Sequence, residues 1–264
     1  MTKPLPIWNS KAPGFYAVVA LVFAASVAAT VYFCVSMSGG MDMPGGWTMS
    51  MMWMRMPGQT WAGSAAMFLL IWLAMMVAMM LPSALPILLS HRQALYAQSE
   101  TRVGMPTMML AGGYFFVWLV IGALVYVAGV IFALATMRSA GLSHAEPVLS
   151  GIALVISGCL QFTDWKMCGL RRCRNSQACV ALRACRKCQA AWLHGLSQGA
   201  SCAICCSGPM LTLLALGAMN LTVMAIIAVV IAMEKLMPKP ELVVRISGIV
   251  AVCSGLVMMV RPLF

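Results

Sequence analysis

Seven long apolar runs leave this chain little choice of fold. They lie at roughly 15–36, 63–89, 107–136, 147–163, 195–218, 221–236 and 243–260. An apolar stretch of about 18 or more residues is a candidate membrane helix. Two runs, the fourth and sixth, are short for a span. Irregular backbone cannot face lipid, so helices are the expected spanning element. The runs use up nearly all of the 264 residues. The expectation is an all-α, polytopic transmembrane bundle of about seven spans in a single integral membrane domain, 1–264. The first run is too long for the apolar core of a cleaved signal peptide, and no A-x-A-like site clearly follows it.

Charge sets the orientation. With the N-terminus cytoplasmic, inside segments carry Lys3, Lys11, Arg92, Arg102, Lys166, Arg171, Arg172, Arg174, Arg183, Arg186, Lys187, Lys235, Lys239 and Arg245. Outside segments carry only Arg55, Arg138 and Arg261. Such a bias is the positive-inside pattern of a cytoplasmic, inner-membrane protein. The net charge of +11 is then explained by topology and contact with anionic lipid, and a nucleic-acid partner is not expected.

The same orientation separates two kinds of sulfur. Residues 37–62 form an outside loop in which eight of the twenty residues from Met37 to Met56 are methionine. Residues 164–194 form a cytoplasmic loop with Cys168, Cys173, Cys179, Cys185 and Cys188 among basic residues. Outside the cell thiols tend to oxidise. A thioether does not form a disulfide and still selects Cu(I). Methionine therefore suits the oxidising side and cysteine the reduced one. Met41, Met43, Met49, Met51, Met52 and Met54 are candidate ligands for soft-metal capture. The alternative is that they fill irregular packing. No histidine lies in this loop, which favours Cu(I) or Ag(I) over Cu(II) or Zn(II). Trp47, Trp53 and Trp61 are candidate anchors at the lipid interface.

Two membrane segments carry further sulfur. In "AMMVAMMLPSALP", Met75 and Met79, and Met76 and Met80, are four apart and form adjacent stacks on a helix. They serve either as ligands or as packing, and Pro82 and Pro86 are expected to disturb the helix behind them. In "HGLSQGASCAICCSGPM", Gly195, Gly199, Cys202 and Cys206 share one helical face, with Cys205 beside it. Small residues there let a neighbouring helix approach. Close packing alone accounts poorly for three cysteines at one depth, whereas thiolates at this spacing suit linear or trigonal Cu(I). Gly208 and Pro209 are expected to open the backbone after the cluster. A path from the methionine loop to Met75–Met80, then Cys202–Cys206, then the cytoplasmic cysteines is geometrically available if the second and fifth segments are neighbours.

The cytoplasmic loop has a second reading. Cys168, Cys173, Cys185 and Cys188 supply enough ligands for a structural zinc, although their spacing departs from common zinc patterns. Glu234, near a helix end, reads either as functional or as an interfacial acid paired with a base. His91, His144 and His194 lie near segment ends, without partners at ligand spacing, and read as structural.

The stretches "AMMLPSALP", "LQFTDWKMCGLRRC", "HGLSQGASCAICC" and "GAMNLTVMAIIAVVIAMEKLMP", in this order from Ala78 to Pro238, resemble one family. It is that of predicted metal-binding integral membrane proteins, which includes bacterial copper-chaperone-like proteins associated with tyrosinases. The resemblance implies a polytopic membrane protein that binds copper and helps load a copper-dependent oxidase. It places Met79, Met80, Pro82, Ser83, Lys166, Cys173, Cys202, Cys205, Cys206, Met219, Asn220, Glu234 and Lys235 in motif positions. One departure stands out. The family pattern resembles K-x-x-C-L-x-x-C, and here Cys168 falls one position early after Lys166.

The expected function is thus a non-enzymatic Cu(I) metallochaperone. A membrane thiol–disulfide oxidoreductase using Cys185/Cys188 or Cys202/Cys205 is the alternative from another class. A copper transporter is the third reading; no P-loop or aspartyl-phosphate motif is evident, which argues against an ATP-driven pump.

Overall fold

A computed structural model describes residues 13–36, 40–43, 47–53, 55, 58–98, 103–171, 173, 188–237 and 240–260. The helices, in chain order, are α1 (Pro13–Ser36), α2 (Trp61–Ala97), α3 (Gly104–Arg138), the short α4 (Ala140–His144) and α5 (Glu146–Gln161). Then come α6 (Asp164–Arg171), α7 (Cys188–Leu216), α8 (Leu221–Leu236) and α9 (Pro240–Val260). A two-stranded antiparallel hairpin, β1 (Gly40–Met43) and β2 (Trp47–Ser50), follows α1.

Each of the seven apolar runs folds as a helix. Among the described residues, five helices are long and apolar enough to cross a membrane, and α5 with α6, bent by 61° between them, would make a sixth span. At 16 residues α8 is shorter than a usual span. The chain is a multi-pass membrane protein. Its two most central helices are α2 and α7, each with 50% of its most apolar window buried, against 11% for α1.

Glycine sets the closest helix pairs. A Cβ at Gly199 of α7 would stand 2.7 Å from the Tyr114 carbonyl oxygen of α3. Gly195 meets Leu110 of α3 the same way. The small-residue face of α7 is therefore covered by α3. In α5 and α9 the approach is mutual. A Cβ at Gly158 would stand 2.7 Å from the Gly248 carbonyl oxygen, and one at Gly255 would stand 2.6 Å from that of Gly151. Without a hydrophobic drive in lipid, such backbone approach is what holds helices together.

Three prolines behave differently from expectation. α2 runs on through Pro82 and Pro86, and α7 through Pro209. Proline removes one i→i−4 hydrogen bond, and nearby hydroxyls bond to backbone carbonyls in both helices. Ser83 donates to the Met80 carbonyl at 2.9 Å and Ser90 to that of Pro86 at 2.8 Å. In α7 the Gly208 carbonyl accepts from Ser157 of α5 at 2.6 Å.

The methionine-rich segment contains the hairpin and a short 3-10 turn, Met51–Trp53. Met41 pairs with Met49, and Met43 with Trp47, across the hairpin register. Met52 is buried in the main core, while Met54 lies outside the described residues. Two of the three tryptophans are engaged with protein. Trp47 donates to the Ser143 carbonyl at 2.9 Å. Trp53 packs on Phe68, with ring centroids 5.3 Å apart. Only Trp61 of the three is largely exposed. Of the segment read as a cytoplasmic loop, 164–171 and 188–194 are helical; Cys179 and Cys185 lie outside the described residues.

Candidate metal centre

The turn between α7 and α8 shows how the "GAMN" motif works locally. Gly217 takes a left-handed φ of +99°, a region open to glycine. Asn220 then caps α8, its side chain accepting from Thr222 and Val223 backbone N–H groups. This cap fixes where α8 starts and so which residues face inward. Met224, Ile227, Ile231, Glu234 and Lys235 are buried.

Glu234 and Lys235 are adjacent and point to different neighbours. Glu234 accepts two hydrogen bonds from Lys166 of α6, at 2.9 and 3.1 Å. Gln161 of α5 and Ser247 of α9 also donate to it, at 3.2 and 3.3 Å. Both members of the ion pair are nearly inaccessible. A buried charge needs a partner and further hydrogen bonds, and this carboxylate has them. Glu234 is paired with a base, as one reading had it, but it is a buried joint between α5, α6, α8 and α9 and not an interfacial acid.

Lys235 turns instead toward α7. Its Nζ lies 2.8 Å from Cys202 Sγ and 3.2 Å from Ser83 Oγ. Tyr114 of α3 donates to the same sulfur at 2.9 Å. Cys202 thus receives an ammonium and a phenol, the surroundings that favour a thiolate. The close α3–α7 approach at Gly199 is what brings the Tyr114 hydroxyl within reach.

Other sulfurs crowd around. Cys202 Sγ is 3.9 Å from Cys206 Sγ, and Cys205 Sγ is 3.6 Å from Cys206 Sγ. The thioether of Met80 on α2 is 4.0 Å from Cys202 Sγ. Cys173, helical and two residues beyond Arg171, faces into the bundle against Cys202 and Cys205. Cys173, Cys202, Cys205, Cys206 and Met80 are all buried. They share one core cluster with Met75, Met76 and Met79. The second and fifth segments therefore do meet, at the level of Met80 and Cys202.

Not every candidate joins. Cys168 is exposed on the wall of a separate cleft of about 730 Å³, with Asp164, Arg171, Glu241 and Arg245. Cys188, at the start of α7, is also exposed. The early position of Cys168 separates it from Cys173, so those two face different surroundings. Reading from spacing missed Tyr114, Lys235 and the inward-facing position of Cys173. The motif positions held the signal for the last two.

Chemically, this is a set of soft ligands with one cation. Thiolates and thioethers select Cu(I). Among the described residues, no group of three or more His, Cys, Asp or Glu side chains meets the geometry of a formed metal site. The thiols pack sulfur against sulfur, so an ion would enter by parting them and displacing thiol protons.

No curated protein and no solved structure gives a significant match to the chain. The PpoB2 copper-chaperone profile matches residues 69–258, from α2 to α9, with every member of the sulfur cluster inside the match. The chain belongs to the PpoB2 copper-chaperone family.

Proposed function

We propose that this protein is a Cu(I) chaperone of the cytoplasmic membrane, with its N-terminus inside, that loads a copper-dependent oxidase. It turns over no organic substrate. The observation that carries the reading is the meeting of Cys173, Cys202, Cys205, Cys206 and Met80 in a buried cluster beside Lys235.

Cu(I) is the cargo. The methionine-rich hairpin, with Met41, Met43, Met49, Met51, Met52 and Met54 in or beside it, captures the ion on the oxidising side. Met75, Met76, Met79 and Met80 lie in the same core cluster as the thiols and offer weaker thioether ligands on the way. Two thiolates around Cu(I) carry one net negative charge, and the Lys235 ammonium offsets it. A divalent ion such as zinc gains no such balance from two thiolates. Cys168 and Cys188, both exposed, hand the ion on rather than retain it.

The thiol–disulfide reading is less well supported. Its α7 thiols are 0–1% exposed, whereas exchange needs access to a substrate disulfide.

Delivery is tested by mixing the Cu(I)-loaded, reduced protein with an apo copper oxidase and following oxidase activity. Activation should exceed that by the same copper held on a small thiol. It should fall to that level with a Cys202, Cys205, Cys206→Ser variant. Equal activation by protein and small thiol would contradict the chaperone reading.

A further inference from the structure

His91 on α2 is fully buried, and neither Nδ1 nor Nε2 has a hydrogen-bond partner. A neutral imidazole carries one N–H and one acceptor nitrogen, and buried polar groups in folded proteins are almost always paired. His194 on α7 repeats the pattern, since its Nε2 is buried and unpartnered as well. His91 lies one turn beyond Ile87 and Leu88 on α2, and His194 lies one turn beyond Ala191 on α7. Around them the structure is apolar. Ile87 and Leu88 of α2, Leu110 of α3 and Ala191 of α7 form a core cluster distinct from the one that holds the thiols.

His91 without a partner at either nitrogen, and His194 without one at Nε2, are unusual as packing beside an apolar cluster. Aliphatic side chains would fill the space without the loss of hydration. The pair sits on the same two helices that bring Met80 to Cys202. His91 follows Met80 by eleven residues, and His194 precedes Cys202 by eight. In antiparallel helices both steps lead the same way, from the sulfur cluster toward the α2–α3 end of the bundle.

From this geometry we infer that His91 and His194 form a second Cu(I) site, one stage beyond the sulfur cluster. The inference rests on the copper reading above. Imidazole is a ligand for copper, zinc, iron and nickel. Structural zinc takes four ligands, and this pair has no carboxylate or thiol among its hydrogen-bond partners. Two neutral nitrogens suffice for a two-coordinate monovalent ion. An apolar surround also penalises a divalent charge more than a monovalent one. Neutral nitrogen holds Cu(I) less firmly than thiolate, so the pair is a place from which the ion leaves.

Copper K-edge X-ray absorption tests this on the full, untagged chain in detergent, kept reduced. The protein is loaded with Cu(I) to one equivalent and then beyond it. The wild type should show sulfur scattering first, and imidazole multiple scattering as loading rises. A His91→Leu, His194→Leu variant should lose the imidazole signature and one equivalent of copper while keeping the sulfur-bound ion. The Cys202, Cys205, Cys206→Ser variant should keep the imidazole-bound ion. Sulfur scattering alone at every loading of the wild type would overturn the inference and leave the sulfur site standing. Survival of the imidazole signature in the double histidine variant would overturn it equally. A wild type that takes up no Cu(I) would overturn both. The wild-type spectra decide without any variant, so a misfolded variant does not rescue the inference. A water bridging the two rings corresponds to the sulfur-only result.

Discussion

Lys235 is the residue on which the centre turns. Its neighbour Glu234 is already engaged by Lys166 at 2.9 Å, so the Lys235 ammonium has Cys202 as its charged partner. Removing one member of a buried pair leaves the other uncompensated, at a cost of about 3–5 kcal/mol. Cys202→Ser should therefore destabilise the metal-free protein by about that much. The double variant Cys202→Ser, Lys235→Met should recover a large part, and chemical denaturation in detergent reads the difference. Equal loss in the single and double variants would deny the coupling. Lys235→Met alone should weaken Cu(I) binding by about 2 kcal/mol or more, roughly 30-fold, in a competition titration. Unchanged affinity would mean that the ammonium does not balance the bound site. Little of this was legible from spacing. Lys235 lies 33 residues from Cys202 and Tyr114 lies 88 from it, and only folding joins them. What spacing did carry was the local fact of three cysteines at one depth of one helix.

At the scale of elements, the α3–α7 contact positions the Tyr114 hydroxyl. Gly199→Leu puts a side chain where the Tyr114 carbonyl stands and should part the two helices. Overpacking of this kind costs about 1–3 kcal/mol, and here it should also weaken copper binding by moving Tyr114 from Cys202. Gly104→Ala, with nothing within 4 Å of an added Cβ, should leave stability and binding unchanged. If both substitutions behave alike, close approach is not what sets the site. The small-residue face was readable in Gly195, Gly199, Cys202 and Cys206, although its partner helix was not. The helices expected to break at Pro82, Pro86 and Pro209 instead run on through them, each proline removing a single i→i−4 bond within a long, packed helix. Spacing alone did not place Cys173. Its position depends on the 61° bend between α5 and α6, and that bend is held by the buried Lys166–Glu234 pair.

For the whole molecule, apolar runs predicted the helices well, because length and hydropathy in lipid leave few alternatives. Span counting was less direct, since α5 is bent against α6 and α8 has only 16 residues. The positive-inside pattern makes a sidedness prediction. With Cys168 exposed at the α6 end, a variant keeping it as the only exposed thiol should react with a membrane-impermeant maleimide only after the cells are opened. Labelling of intact cells would reverse the topology. Binding and stability are linked as well. An ion held only by the folded form adds about 2.7 kcal/mol at a hundredfold excess over its Kd, so Cu(I) should raise the unfolding midpoint of the wild type. It should do so far less in the Cys202, Cys205, Cys206→Ser variant.

The most direct measurement is the Cu(I) content of the reduced, purified chain after titration against a competing chelator, compared with that same triple variant. The wild type should hold copper against the chelator, and the variant should lose at least one equivalent. Equal retention by both, or retention by neither, would contradict the claim that the cysteines meeting Met80 and Lys235 are the copper ligands.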